Sequence, residues 1–185
     1  MTTLTRSGRG EAGGMDIELV EAAIGDTSVV RNLMELYRHD LSEYNGKDVT
    51  DHGLFSYRYL DHYWTEAGRY PWLARIEGKL AGLALVRDVE EGGGTVHVMS
   101  EFFVLRKFRG RGVGRRLAWR LFDRLPGRWR VEQEAGNRPA RLFWRGVIGE
   151  YTQGRFAEID PKTEGELKGT GQVFIAPASA EGAGS

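Results

Sequence analysis

Apolar positions along this chain change period several times, and each change marks an element. Ile17-Glu18-Leu19-Val20-Glu21-Ala22 alternates in part and reads as a strand. Asp26 or Thr27 can cap a helix, after which Val29, Val30, Leu33, Met34, Leu36, Tyr37 and Leu41 recur at helical spacing. That helix should end near Tyr44-Asn45-Gly46, where glycine suits a left-handed cap. Leu60, Tyr63, Trp64 and Ala67 suggest a second, short helix ending at Gly68. Tyr70 to Ile76 and Leu80 to Val86 read as a strand pair turned at Glu77-Gly78-Lys79. Glu91 to Gly94 is a flexible connection into a long strand, Thr95 to Leu105. Val113, Leu117, Leu121 and Leu125 return to helical spacing until Pro126-Gly127 stops it. Trp129 to Gln133 is a strand, and Ala140 to Ile148 a helix stopping at Gly149. Phe156 to Ile159 and Gln172 to Ile175 are late strands linked by Lys162 to Gly171. No internal repeat interrupts this order.

Length and composition narrow the class. With 185 residues, one domain over 15–176 is expected, between a disordered tail at 1–14 and a flexible one at 177–185. Lys+Arg and Asp+Glu are 26 each, which argues against a general nucleic-acid or membrane-surface binder. The balance is not local: from Arg106 to Arg130, Asp123 is the only acid. The absence of cysteine excludes disulfides, thiolate nucleophiles and cysteine metal sites, and no metal is expected. No apolar run approaches the ~20 residues of a membrane span, and no secretory h-region opens the chain, so a cytoplasmic protein is expected.

The chemistry centres on Arg109-Gly110-Arg111-Gly112-Val113-Gly114, the turn from the long strand into a helix. Free N–H groups at a helix start favour an anion, and glycines let backbone approach it. Arg109 and Arg111 add donors suited to phosphate. The loop is not a Walker A sequence, because Arg115-Arg116 follow Gly114, and the dinucleotide spacing fails at Arg115. Arg109, Gly112 and Gly114 do meet the pattern Arg/Gln-x-x-Gly-x-Gly/Ala. Downstream, Asn137-Arg138-Pro139-Ala140-Arg141-Leu142-Phe143-Trp144 follows Asn-x-x-Ala-x-x-Phe/Leu-Tyr except at its last position. On these two signatures the chain resembles the GNAT superfamily of N-acyltransferases.

That resemblance implies an α+β fold: a three-layer α/β/α arrangement around a mixed, mostly antiparallel sheet with helices on both faces. It implies acetyl-CoA as co-substrate and an amine of a small molecule or protein as acceptor, with direct attack in a ternary complex. Gly110, Arg111, Gly112, Gly114, Arg109 and Arg115 would hold the pyrophosphate. Phe102 and Val104 would pair with the pantetheine arm, and Asn137 and Trp144 would contact it; Asn137 also suits a helix cap. Ser100-Glu101-Phe102-Phe103-Val104 resembles the Glu-Asp-Phe-Phe-Val segment of spermidine/spermine acetyltransferases, which makes Glu101 the first candidate base and His97 a second. A bland surface or amine-binding carboxylate is the alternative for Glu101, and strand parity separates it from Val104 unless a bulge intervenes. Trp144 stands where many members have tyrosine, and an indole is no useful acid, so Tyr151, just past that helix, becomes a candidate proton donor, with protonation of the thiolate by solvent as the alternative. His39, Asp40, Glu43, Tyr44, Tyr57, Tyr59, His62, Tyr63, Trp64 and Arg69 crowd the expected acceptor region, which would suit either a cationic or an acidic substrate. A non-catalytic acyl-CoA sensor of the same fold is the competing reading. A homodimer is compatible with either.

Overall fold

The computed structural model describes residues 16–134, 136–159 and 169–178. Its elements run β1 (Ile17–Glu21), α1 (Thr27–Asn45), α2 (His62–Thr65), β2 (Arg69–Ile76), β3 (Lys79–Glu91), β4 (Gly94–Val104), α3 (Val113–Arg124), β5 (Gly127–Glu134), α4 (Arg138–Thr152), β6 (Phe156–Ile159) and β7 (Gly169–Ala176). They build one seven-stranded sheet in the order β1-β2-β3-β4-β5-β7-β6. Every neighbouring pair is antiparallel except β4 and β5. Those two are joined through α3, and a helical crossover is what a parallel pair requires. No described helix is long and apolar enough to cross a membrane.

Strand alternation sorts the core into two layers. Leu73, Leu83, Leu85 and Phe103 meet Val30, Leu33 and Met34 of α1 on one face. Trp72, Ala74, Ala84, Val86, Met99 and Val104 meet Leu117, Leu121, Phe122, Trp144 and Ile148 of α3 and α4 on the other. β3 contributes to both layers, and Gly82 on it allows a close backbone approach: a Cβ there would lie 2.2 Å from the Phe103 carbonyl oxygen.

Element boundaries differ from expectation in three places. The supposed flexible connection at Glu91 to Gly94 is a tight turn, with Gly92 and Gly93 at φ 61° and 79°, so β3 runs on to Glu91. The second helix is a single turn, His62–Thr65. α4 does not stop at Gly149 but continues to Thr152 and ends at Gln153, φ 54°. Gly149 lies inside that helix beside the Phe156 ring, where an added Cβ would make an ordinary contact at 3.6 Å. The expected tail at 1–14, most of the tail at 177–185 and most of the Lys162–Gly171 link lie outside the described residues.

Candidate active site

The site exists because two parallel strands part. β4 and β5 pair only from Val96 opposite Arg128 to Met99 opposite Val131. Beyond that, β4 continues to Val104 against β3, while β5 continues to Glu134 against β7. A cleft of about 940 Å³ opens between and above the diverging edges. Facing backbone edges without a strand between them suit an extended ligand that supplies the missing pairings.

A bulge shapes the β4 wall. Leu85 pairs with Glu101 and Val86 with Met99, which leaves Ser100 as the extra residue. Such an insertion reverses side-chain parity. Met99 therefore packs into the α3–α4 layer, whereas Glu101 joins Leu85 and Phe103 on the α1 face. Phe102 turns the other way and packs edge-on against Trp144 with ring centroids 4.7 Å apart.

The glycine loop abuts this wall. A short 3-10 turn, Arg106–Phe108, leads into Gly110 and Gly112 at φ 74° and 72°, and Gly112 is the N-cap of α3. Both angles lie in the left-handed region that side chains resist. No side chain caps the helix. Gly114 sits so close to the Phe143 ring that a Cβ would meet it at 3.1 Å, and the Phe102 ring at 3.8 Å. The open helix start thus borders the aromatic wall of the cleft and offers unsatisfied N–H donors to an anion.

On the other side, Glu101 occupies a deep position reachable from the cleft, where burial pushes its carboxyl up to about 7. The Tyr37 and Tyr57 hydroxyls and the Arg38 guanidinium oppose that rise, and Glu134 adds to it. Tyr37 and Tyr57 are themselves held well above the ordinary tyrosine range, first by burial and then by the Glu101 charge. They can donate to the carboxylate and will not compete with it for a proton-acceptor role near neutral pH.

The family model for acetyltransferase (GNAT) proteins matches residues 31–147. The chain belongs to that family. No curated protein sequence matches it closely enough to add a relative. Among solved structures, an acetyltransferase from Thermus thermophilus superposes with a TM-score of 0.63 at 16% identity, covering 86% of this chain and 96% of that one. The ribosomal-protein-S18-alanine N-acetyltransferase from Escherichia coli gives 0.58 at 13%, covering 92% and 100%. Spermidine N-acetyltransferase from Vibrio cholerae, solved with CoA and spermine, gives 0.55 at 12%, covering 86% and 95%. At such identities these likenesses speak for the fold, and the GNAT fold is what the sheet order and helix placement form.

Within this GNAT domain, Glu101, Phe102, Asn137 and Trp144 line one cleft. Asn137 caps α4, its Oδ1 accepting from the Ala140 N–H at 3.0 Å. Several expectations need correction. Arg109 does not offer its guanidinium to the loop: Nε donates to the Val104 carbonyl at 2.7 Å and Nη2 to Asp40 at 2.6 Å. The same bond takes one lone pair of the Val104 carbonyl, on the strand expected to meet the pantetheine arm. Arg115 is tied to α4, its Nη1 bonding Glu150 at 3.0 Å with the guanidinium over the Trp119 ring, while its Nη2 stays beside Gly112. Tyr151 is inside α4 rather than past it and does not line the cleft; its hydroxyl donates to Asp123 at 2.7 Å, and burial with that bond raises its pKa. His97 is likewise elsewhere, bridging Asp88 at 2.6 Å and the Pro126 carbonyl at 3.3 Å.

Of the crowd expected at the acceptor side, Tyr57, Tyr59, Tyr63 and Arg69 line the cleft. Trp64 is spent on the Ala22 carbonyl, and Asp40 on Arg106 and Arg109. Tyr37, Arg38, Arg87, Glu132 and Glu134 also line it and carried no local signal in the sequence. Arg87 and Glu132 sit on strands whose alternation could have placed them, but only the parting of β4 from β5 makes that face a cavity.

Proposed function

We infer that the protein is an acetyl-CoA-dependent N-acetyltransferase in which Glu101 is the general base. One observation carries the reading: a carboxyl whose pKa is near 7 lies on the wall of the cleft, one residue from Phe102, where the glycine loop and the aromatic wall adjoin. Family membership and the CoA bound to the Vibrio cholerae neighbour support the choice of donor.

The chain's residues fit that donor. The N–H groups from Gly110 to Gly114 would take the pyrophosphate, the diverging edges of β4 and β5 the pantetheine arm, and Phe102 and Trp144 its apolar flank. The bound thioester supplies the activated acetyl group. An alkylamine has a pKa near ~10 and arrives protonated. Glu101 takes a proton from the ammonium, and a base near neutral pH suits that task. The freed nitrogen forms its bond to the acetyl carbonyl carbon and sheds its second proton to solvent, while the carbon–sulfur bond breaks and the electron pair departs on sulfur. Solvent returns a proton there, since a thiol pKa of ~8.5 makes the thiolate a fair leaving group without a dedicated acid. A thiol-release assay with acetyl-CoA across polyamines, aminoglycosides, amino acids and peptides tests the reading. Turnover of at least one amine is expected; acetyl-CoA binding with silence across the whole panel favours the sensor.

A further inference from the structure

The acceptor wall carries more positive charge than the described residues around it neutralise. Arg69 on β2 stands directly opposite Arg87 on β3, and Arg87 opposite Val98 on β4. Residues paired in this way share a face, and like charges so placed repel. Arg69 has its own acid, Glu66, at 2.9 Å. Arg87 has no carboxylate within ion-pair distance among the described residues, although it lies part-buried on the cleft wall. On the wall of the same cavity, the Tyr63 hydroxyl and the Ser100 Oγ are buried, within reach of each other and of Arg69, and make no hydrogen bond of good geometry. Unsatisfied donors of this kind are costly to keep in a fold. Both line the same cavity as Arg87.

Resting on the acetyltransferase reading, we propose that the acceptor is an amine carrying its own anionic group, a carboxylate or phosphate, held by Arg87, Tyr63 and Ser100 while its nitrogen faces Glu101. Strand geometry permits both contacts at once. Glu101 is opposite Leu85, two residues from Arg87 on the same face of β3. That separation is ~7 Å along the strand, a distance that the two side chains close on a small molecule from either end. The acetyl transfer is unchanged; the anionic group only fixes the amine in place.

The test uses matched pairs in the thiol-release assay. L-amino acids and β-alanine are set against their carboxamides, and O-phosphoethanolamine against ethanolamine. The acidic member should lead by about 10- to 100-fold in kcat/KM, as a site built for a bonded group rejects its neutral analogue. Arg87→Gln should erase that preference, largely through KM, and Arg87→Lys should restore part of it. Equal turnover of acid and amide overturns the subsite and leaves the acetyltransferase standing. A second measurement works without turnover: malonate at millimolar concentration should raise the melting temperature of the acetyl-CoA-saturated protein, and Arg87→Gln should abolish the rise. An Arg87-dependent rise with no turnover keeps the anion site and removes the enzyme. No rise in the wild-type protein overturns the anion site.

Discussion

Asp40 of α1 accepts a hydrogen bond from Arg109 Nη2 at 2.6 Å and another from Arg106 Nη2 at 2.7 Å, clamping the first helix to the entrance of the glycine loop. Burial alone would raise the Asp40 carboxyl, but the bonds from Arg106 and Arg109 outweigh it and its pKa lies below the ordinary value. A carboxyl lowered on folding stabilises above its unfolded pKa, and the contribution is lost as pH falls through the folded value. Asp40→Ala should cost about 1 kcal/mol near pH 7, since the pair is only part-buried, and less in high salt. The larger effect should be on the loop. With its anchor gone, acetyl-CoA affinity measured by calorimetry should fall several-fold, and an unchanged affinity would show that the clamp does not order the loop.

Glu101 gives the reverse pH behaviour. Its folded pKa, about 7, lies above the ordinary value of 4.5. The folded state therefore binds the extra proton, and stability declines as pH rises from about 4.5 through about 7. At about 1.4 kcal/mol per pH unit, the penalty above neutrality is up to about 3 kcal/mol. Glu101→Gln should remove it: melting temperature against pH should be flatter, and the variant more stable than wild type at pH ~8. Activity should move oppositely. A base contributes ~10²–10⁴ in rate, so the variant should lose that much, together with the rise of kcat/KM through pH ~7. A variant both less stable in mild alkali and fully active would remove Glu101 from the base role.

Asp40 and Glu101 also mark where local pattern stops being informative. The glycine loop, the Asn137 cap and the order of elements are local, written in periodicity and turn residues that act over a few positions. The face on which Glu101 stands is not local: it depends on Ser100 being inserted opposite nothing on β3, a feature of pairing rather than of composition. The role of Asp40 was also hidden, because its partners lie more than sixty residues away. Arg109 looked like a phosphate ligand for as long as Asp40 and the Val104 carbonyl were not in view. Tyr151 looked available because Gly149 was expected to end α4; the helix instead runs through that glycine to Thr152.

Tyr151 in turn supplies a test of the leaving-group step. Its hydroxyl is bonded to Asp123, and its ring lies in the cluster of Trp119, Phe122 and Phe174. Tyr151→Phe should leave kcat and its pH dependence unchanged and cost about 1 kcal/mol for the lost hydrogen bond. A drop of about tenfold or more in kcat with the melting temperature preserved would return Tyr151 to the chemistry.

Two glycines should respond differently to alanine, although both are conspicuous in the structure. At Gly112 the obstacle is conformational: φ is 72°, and a Cβ would find only the Arg115 guanidinium at 3.8 Å. Gly112→Ala should fold, at a cost of about 1–2 kcal/mol for a side chain in the left-handed region. A bulky residue such as Gly112→Val should also fold but abolish acetyl-CoA binding by crowding the N–H groups at the helix start. At Gly82 the obstacle is steric, with the Phe103 carbonyl oxygen 2.2 Å from the added carbon. That oxygen belongs to the backbone of β4 and can move only if the β3–β4 pairing moves. Gly82→Ala should therefore cost more than about 3 kcal/mol and lower soluble yield, whatever ligand is present. Chemical denaturation of the three variants, with acetyl-CoA titrated into those that fold, separates the cases. Tight acetyl-CoA binding by Gly112→Val would mean that the pyrophosphate is held somewhere other than the start of α3.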